Sequence, residues 1–452
     1  MRQSDLAGCK VGILGLGREG QAAREYLRSV CPGLELALIC ESPPDEEFTK
    51  QLVDKDRLIT GPLSQAQLER FDMLVRSPGI SPYRRSIRAA INAGVEITTP
   101  SNLWFLAHSG EKTICITGTK GKSTTSALLA HALEVCGFRV RLAGNIGRPL
   151  LCCDADDVDW WVIELSSYQL ADLDAKPSVA VILNLSEDHL DWHGNEQVYR
   201  RDKLKLVGLA GDSPVIANAA DPVLAETLSG RTDIIWFNSD SGIHVDGSYI
   251  LDGEEVLPLS VPQELPGVHN LANIAAALAV CKAIGADVAG AARGIASFQS
   301  LPHRLQLVGE RDGVRFVNDS IASTPVATAA ALEAMAGRPV TLIVGGLDRG
   351  LDWTPYMRVF ESGMPQAVIA IPDNGPKIIE TLRKAGLQAV DGFHEVPGLG
   401  EAIELAEEIT EAGGVVLLSP GAPSFPQFRD YRERGLLFAR ICGFELDERD
   451  LW

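Results

Sequence analysis

Apolar residues along this chain fall into short unbroken runs separated by stretches of helical period, the pattern of parallel strands covered on both faces by helices. A first block opens with a strand over 10–14, turns through glycines into a helix over 21–28 and returns as a strand over 36–40. It reaches the turn-rich stretch Thr98-Thr99-Pro100-Ser101-Asn102. A second block opens with a strand over 113–117, carries strands over 160–165 and 179–185, and ends near Phe298-Gln299-Ser300-Leu301-Pro302. The third carries strands over 314–317, 340–344, 367–371 and 415–418. No solenoid repeat or low-complexity tract interrupts them.

A length of 452 residues allows about three domains, and 46% hydrophobic with 22% charged residues is ordinary packed composition, which excludes a small hormone or lone binding module. The net charge of −19 repels phosphate backbones and anionic lipid, so nucleic-acid and membrane-surface partners are disfavoured. The N-terminus lacks the basic, apolar and small-residue order of a signal peptide, and no run approaches the ~20 apolar residues of a membrane span. A cytoplasmic protein is expected. The nine cysteines are scattered without a C-x-x-C pair, and buried reduced thiols are expected even for adjacent Cys152 and Cys153.

After the strand over 113–117 the chain reads Gly118-Thr119-Lys120-Gly121-Lys122-Ser123-Thr124-Thr125 and enters an apolar helix over 127–135. Glycines let backbone N–H groups close round phosphate oxygens, a helix N-terminus favours negative charge, Lys122 supplies a cation and Ser123 reaches a magnesium ion. This predicts an ATP site. The lead into Lys122 is shorter than in the common phosphate loop, and a plain glycine turn is the bland alternative.

A second glycine turn, Gly15-Leu16-Gly17-Arg18-Glu19-Gly20, also joins strand to helix, with Glu41 near the place of a ribose-binding acid. It fits any pyrophosphate, a nicotinamide dinucleotide included, and equally a tight structural turn. Ligands of open parallel sheets bind beyond the carboxyl ends of strands. There the second block carries the phosphate loop, Glu164-Leu165-Ser166-Ser167-Tyr168-Gln169, and residues 184–193 (NLSEDHLDWH). A carboxylate and an imidazole, Glu164 and His189, suit Mg²⁺ beside phosphates. His189 and His193 stand four apart, but zinc ranks below an ordinary polar loop without a Glu between them or a cysteine pair. Residues 199–205 read as a basic helix with a solvated face.

In chain order the sequence carries GLGREG, Ser77-Pro78-Gly79-Ile80, GTKGKSTT, Gly144-Asn145-Ile146-Gly147, ELSSYQ, His269-Asn270 with Asn273, Leu301-Pro302-His303-Arg304, Asn318-Asp319-Ser320 and Leu418-Ser419-Pro420. Together these motifs resemble the Mur ligases, the ATP-dependent amino-acid-adding enzymes of peptidoglycan synthesis, and among them the glutamate-adding members. The resemblance implies an α/β fold in three domains. These are a Rossmann-like UDP-binding domain over 1–102, a central P-loop ATPase-like parallel-sheet domain over 103–299, and a Rossmann-like amino-acid-binding domain over 300–452.

The resemblance also implies roles. Gly17, Arg18, Glu19, Ser77 and Gly79 would hold UDP, and Asn145, Ser166 and Gln169 the muramoyl-alanine end. Gly118, Thr119, Lys120, Gly121, Lys122, Ser123 and Thr124 would hold ATP together with Asn273, Arg304 and Asp319. Ser123, Glu164, His189 and Lys203 would organise Mg²⁺, Lys203 in the place of the family's carbamylated lysine. Lys122, Glu164, His189 and Lys203 form the implied catalytic set. The alanine carboxylate of UDP-N-acetylmuramoyl-L-alanine would take the γ-phosphate of ATP, and glutamate would displace it. His189 either positions the amine or serves as a loop hydrogen-bonder.

One departure bears on the amino acid. Members that add D-glutamate read N-D-S-K where this chain reads Asn318-Asp319-Ser320-Ile321. A buried carboxylate deprived of its partner loses roughly 2–5 kcal/mol. With residues 345–353 (GGLDRGLDW) and 419–425 (SPGAPSF), this resembles the branch that adds L-glutamate and leaves inversion to a separate epimerase. Arg349 would clamp the carboxylate while Ile321, Ser323, Ser424 and Tyr431 shape the pocket; an ordinary ion pair is the alternative for Arg349. The rival readings are a D-glutamate-adding ligase, a folylpolyglutamate synthetase lacking the N-terminal domain, a non-catalytic nucleotide-sugar sensor, and a dehydrogenase that leaves the phosphate loop unexplained.

Overall fold

Both faces of each large sheet are covered, which is why its strands read as unbroken apolar runs. Along Val340–Val344, Val340, Leu342 and Val344 pack into one core and Ile343 into the other; along Val415–Leu418, Val415 and Leu417 take one side and Val416 and Leu418 the opposite one. The structure, a computed structural model, describes residues 8–44, 46–153, 157–262, 265 and 267–446. The chain divides into two compact units, Met1–Ser260 with Leu271–Ala296, and Val261–Asn270 with Ser297–Trp452.

The first unit holds a five-stranded parallel sheet of β1 (Val11–Leu14), β2 (Leu36–Cys40), β3 (Asp56–Thr60), β4 (Met73–Arg76) and β5 (Glu96–Thr98) in the order β3-β2-β1-β4-β5. It also holds a six-stranded parallel sheet of β6 (Thr113–Thr117), β7 (Val140–Gly144), β8 (Trp160–Glu164), β9 (Val179–Ile182), β10 (Val215–Asn218) and β11 (Ile234–Phe237), ordered β11-β10-β9-β6-β8-β7. The helices expected over 21–28 and 127–135 begin earlier, as Arg18–Val30 and Lys122–Val135. The last residues of each glycine turn already form the first helical turn.

Strict parallel architecture does not hold throughout. Strands β12 (Ile243–Asp246), β13 (Tyr249–Asp252) and β14 (Glu255–Val256) form a small antiparallel sheet in the first unit. In the second unit the six-stranded sheet runs β15-β16-β20-β17-β18-β19, with β15 (Gln306–Arg311) antiparallel to β16 (Val314–Asn318). Its other members are β17 (Val340–Val344), β18 (Ala367–Ala370), β19 (Phe393–Glu395) and β20 (Val415–Leu418), all parallel. The three hairpins turn on the two-residue loops Gly247-Ser248, Gly253-Glu254 and Asp312-Gly313. Asp312 and Gly313 both have positive φ, the geometry that follows strand twist in a two-residue loop.

None of the nine cysteines is in a disulfide bond. Burial holds for Cys31, Cys40, Cys115, Cys281 and Cys442, whereas Cys152 is exposed and Cys9, Cys136 and Cys153 partly so, which corrects the expectation of uniformly buried thiols. Among the described residues no helix is long and apolar enough to cross a membrane.

Candidate active site

In the first sheet the strand order reverses at β1, so the turns after β1 and β4 open side by side. Gly15 has φ +83, and a Cβ at Gly20 would lie 1.9 Å from the Gly15 carbonyl oxygen and 2.7 Å from Ser77 Oγ. The helix Arg18–Val30 therefore seats directly on the turn. Here a cavity of about 360 Å³ opens, lined by Gly17, Arg18, Glu19, Ser77 and Gly79 from this domain, and by Asn145, Ser166 and Gln169 from beyond β7 and β8. The structure thus gathers in one cavity every residue that the resemblance assigned to the UDP substrate. Ser166 and Gln169 form a reciprocal cap on the short helix Ser167–Leu170, and Gln169 Nε2 donates to Glu19 Oε1 at 3.2 Å. Glu41 lies elsewhere, in an exposed ion pair with Arg84.

The phosphate loop is braced on several sides, more than a bare reversal of the chain requires. Gly121 caps the helix Lys122–Val135 with φ 82, and a Cβ there would lie 2.4 Å from Asn273 Oδ1, which also accepts from Thr125 Oγ1 at 3.2 Å. Lys120 N donates to Asn184 Oδ1 at 2.8 Å while Asn184 Nδ2 donates to the Lys120 carbonyl at 3.0 Å. Thr119 Oγ1 bonds Tyr199 OH at 2.7 Å, and Lys122 Nζ donates to the Thr119 carbonyl at 3.0 Å. The N–H groups of Lys122, Ser123 and Thr124 form the first turn, where no intrahelical acceptor is available and the dipole favours an anion.

Next to this loop, β8 ends in Glu164, 1% exposed. Its Oε1 accepts from Asn145 Nδ2 at 2.7 Å; Oε2 is buried without a hydrogen-bond partner. An orphaned carboxylate oxygen beside a phosphate loop fits a hard cation such as Mg²⁺, which keeps waters and needs few protein ligands. The described residues hold no group of three or more His, Cys, Asp or Glu arranged for a metal ion.

The basic helix is the clearest correction. Glu196–Ala210 buries Tyr199, Asp202, Lys203, Leu206 and Val207 along one stripe, so two of its charges point inward rather than to solvent. Lys203 Nζ donates to the Gly118 carbonyl at 2.7 Å. Burial, reinforced by the Lys122 charge, holds its amine well below the usual lysine range against the pull of Asp188 and Glu164. Asp202 faces a different way and accepts from Tyr83 OH at 2.7 Å.

His193 is 2% exposed, its Nδ1 lying 2.8 Å from Asp202 Oδ2 and its Nε2 3.0 Å from Ser167 Oγ. This buried chain of Tyr83, Asp202, His193 and Ser167 was missed from sequence; the i, i+3, i+4 spacing of Tyr199, Asp202 and Lys203 is the signal that could have found it. His189 is half-exposed with φ 54, its ring 5.0 Å from that of Tyr168. Burial pushes its imidazole below the ordinary value, Asp188 opposing and Lys122 and Lys203 adding to the effect.

In the second unit the loops after β16, β17 and β20 converge. Asp319 is buried, accepting from Ser419 Oγ at 2.7 Å and from Leu305 N at 3.2 Å. Burial pushes its carboxyl up to about 7, with the Ser419 bond and the Arg304 charge opposing. Arg304 Nε is buried without a hydrogen-bond partner, a second orphan at a residue assigned to the nucleotide. Arg434, unforeseen from sequence, is 1% exposed and donates to the carbonyls of Ser320 at 2.8 Å, Ala422 at 3.0 Å and Gly345 at 3.4 Å.

Among the assigned pocket residues, Ile321 follows directly from this junction and Tyr431 accepts from Ser320 Oγ at 2.8 Å through its carbonyl. Ser424 is buried and Ser323 half-buried. Arg349 is exposed and makes no ion pair among the described residues, so the ordinary ion-pair reading is not realised; neighbouring Asp348 pairs with Lys377 instead.

Comparison with known proteins agrees along the whole chain. Residues 9–99 match the family model of the Mur ligase MurD-like N-terminal domain, 116–281 the Mur ligase middle domain, and 303–421 the Mur ligase glutamate ligase domain. A relative from Xanthomonas oryzae pv. oryzae, named UDP-N-acetylmuramoyl-L-alanine–L-glutamate ligase, is 43% identical over 456 residues, covering 98% of this chain and 97% of its own. A relative of the same name from Micromonospora sp. is 40% identical and covers 97% of each. Among solved structures, the UDP-N-acetylmuramate–alanine ligase of Thermotoga maritima shares the fold at TM-score 0.60 and 19% identity, covering 96% of this chain and 99% of its own. The MurF ligase of Thermotoga maritima, in complex with ADP, shares it at 0.58 and 17%, covering 98% and 97%.

Proposed function

We propose that this chain, which belongs to the Mur ligase family, joins L-glutamate to UDP-N-acetylmuramoyl-L-alanine while ATP gives ADP and phosphate. The observation that carries this reading is the 2.7 Å bond from Asn145 to Glu164. Asn145 lines the substrate cavity and Glu164 ends the strand beside the phosphate loop, so acceptor and nucleotide meet at one side chain. Residues 1–102 are assigned to UDP, 103–299 to ATP and 300–452 to glutamate, with ATP and the UDP-linked acceptor as cytoplasmic substrates.

The terminal carboxylate oxygen of the acceptor attacks the γ-phosphorus of ATP; the bond to the β–γ bridging oxygen breaks, leaving an acyl phosphate and ADP. The glutamate amine then attacks the acyl carbon, and the carbon–oxygen bond to phosphate breaks as the amine proton is lost. Both steps crowd negative charge, so the first-turn N–H groups and Lys122 act by electrostatic stabilisation and alignment. Ser123, Glu164, His189 and a carbamate on Lys203 would hold Mg²⁺, which would supply further charge neutralisation. Asn273 buttresses the phosphate loop, and the unpaired Nε of Arg304 and the carboxyl of Asp319 are assigned to the nucleotide. No covalent enzyme nucleophile is required.

The choice of L-glutamate is supported by the names of the relatives and by Ile321, which supplies no cation where D-glutamate-adding members carry lysine; Arg349, exposed and without an ion pair among the described residues, is assigned to clamp the carboxylate. On this reading a separate epimerase would act on the product. The test is phosphate release with ATP, Mg²⁺ and the acceptor, comparing L-glutamate, D-glutamate and no amino acid. Turnover with L-glutamate is expected. Preference for D-glutamate overturns the pocket assignment, and no turnover with either favours the sensor. Ile321→Lys should move the ratio towards D-glutamate, and an unchanged ratio contradicts its role.

A further inference from the structure

The turn Gly15 to Gly20 and the N-terminus of the helix Arg18–Val30 make an anion site, yet they place a carboxyl group inside it. Glu19 stands in the first turn and lines the same cavity as Gly17 and Ser77. An ionised carboxylate there competes with a diphosphate for one helix dipole and repels it. No ion pair closes on Glu19 among the described residues, although the Arg18 charge works to lower its carboxyl. Adjacent Arg18 donates to the Gly147 carbonyl at 3.1 Å, and both residues line the same cavity. The titratable groups around Glu19 are Arg18 and Glu25 on its own helix, Arg148 and Cys152 on the segment after β7, and Tyr168 on the helix Ser167–Leu170. None forms an ion pair with it among the described residues.

The carboxyl instead meets a neutral amide, that of Gln169. Its Oε1 accepts from Gln169 Nε2 at 3.2 Å, and Oε2 has no hydrogen bond among the described residues. An acid in that arrangement serves an anionic ligand in one way, by donating a proton from the unoccupied oxygen. Resting on the assignment of this cavity to the UDP substrate, we propose that Glu19 binds the substrate's diphosphate as a neutral carboxylic acid whose Oε2–H donates to a phosphate oxygen, so that affinity weakens as pH rises.

Burial already pushes the Glu19 carboxyl up to about 7, against the Arg18 charge and the Gln169 bond, and the approaching diphosphate raises it further. Protonation therefore costs little near neutrality. A ligand that selects the protonated form loses about tenfold in affinity per pH unit above the free-protein pKa.

The experiment measures equilibrium binding of UDP-N-acetylmuramoyl-L-alanine to the full chain, without ATP, from about pH 6 to about pH 8.5. UDP-N-acetylglucosamine is the second probe, since its diphosphate is a diester with no group titrating in that range. For the wild type, Kd is expected to rise about tenfold between pH 7.5 and 8.5 with both probes. Glu19→Gln keeps a donor that does not titrate, and its Kd should stay flat. Equal slopes for the two proteins, a flat wild-type profile, or tighter wild-type binding at high pH would each overturn the proposal while leaving the substrate assignment standing. No binding of either probe to the wild type at pH 6 would overturn both.

Discussion

Lys203 Nζ reaches the carbonyl oxygen of Gly118, 85 residues earlier in the chain, at 2.7 Å. One buried amine thereby joins the helix Glu196–Ala210 to the first residue of the phosphate loop. Burial holds that amine well below the usual lysine range, which favours the neutral form over what an exposed lysine shows, and the neutral amine is the form that adds CO₂. Bicarbonate labelled with carbon-13 should give a carbamate signal that disappears in Lys203→Ala, with kcat falling about a hundredfold or more. A signal that survives the substitution places the carbamate elsewhere.

Asp202, the neighbour of Lys203, is expected to matter through folding. Asp202→Ala leaves Tyr83 OH and His193 without their shared buried acceptor, a loss of about 2–4 kcal/mol. Burial works to raise the Asp202 carboxyl, and the bonds from His193, Tyr83 and Arg201 outweigh it, so its pKa lies below the usual 3.8. A group depressed on folding contributes stability above its unfolded pKa and loses it as pH falls through the folded value. Urea unfolding should therefore show the gap between wild type and Asp202→Asn narrowing below about pH 4. A gap that is constant across pH contradicts the assignment.

Asp319 has the opposite sign. Its carboxyl rises from 3.8 to about 7 on folding, so its contribution is fully present below pH 3.8 and is lost as pH climbs towards 7. Asp319→Asn removes that titration while retaining an acceptor for Ser419. The variant should gain Tm relative to wild type on going from about pH 4.5 to about pH 8, while phosphate release falls. An equal Tm difference at both pH values would show that the carboxyl does not pay this ionisation cost.

Residues that act through the backbone path next to them were legible in the sequence. The phosphate loop, Glu164 and the glycine turn at Gly15 follow strands whose apolar runs are unmistakable, and ligands of such sheets lie at those strand ends. The helix Glu196–Ala210 was misread because four of seven residues over 199–205 are basic, and composition hides which side of the helix they occupy. Only its packing turns Asp202 and Lys203 inward. Arg434 was invisible for a related reason, since its three carbonyl partners come from loops scattered over 320–422. The antiparallel hairpins were within reach: Gly247-Ser248, Gly253-Glu254 and Asp312-Gly313 each join two strands as a two-residue glycine-containing loop, a direct hairpin signal that the expectation of parallel strands overrode.

The central claim is that the acceptor's carboxyl group is activated by phosphorylation before the amine arrives. It is tested most directly by labelling both oxygens of that carboxylate with oxygen-18 and analysing the released phosphate by mass spectrometry after turnover with ATP and L-glutamate. An acyl phosphate transfers one labelled oxygen to each phosphate. Phosphate released without label during amide formation would contradict the account.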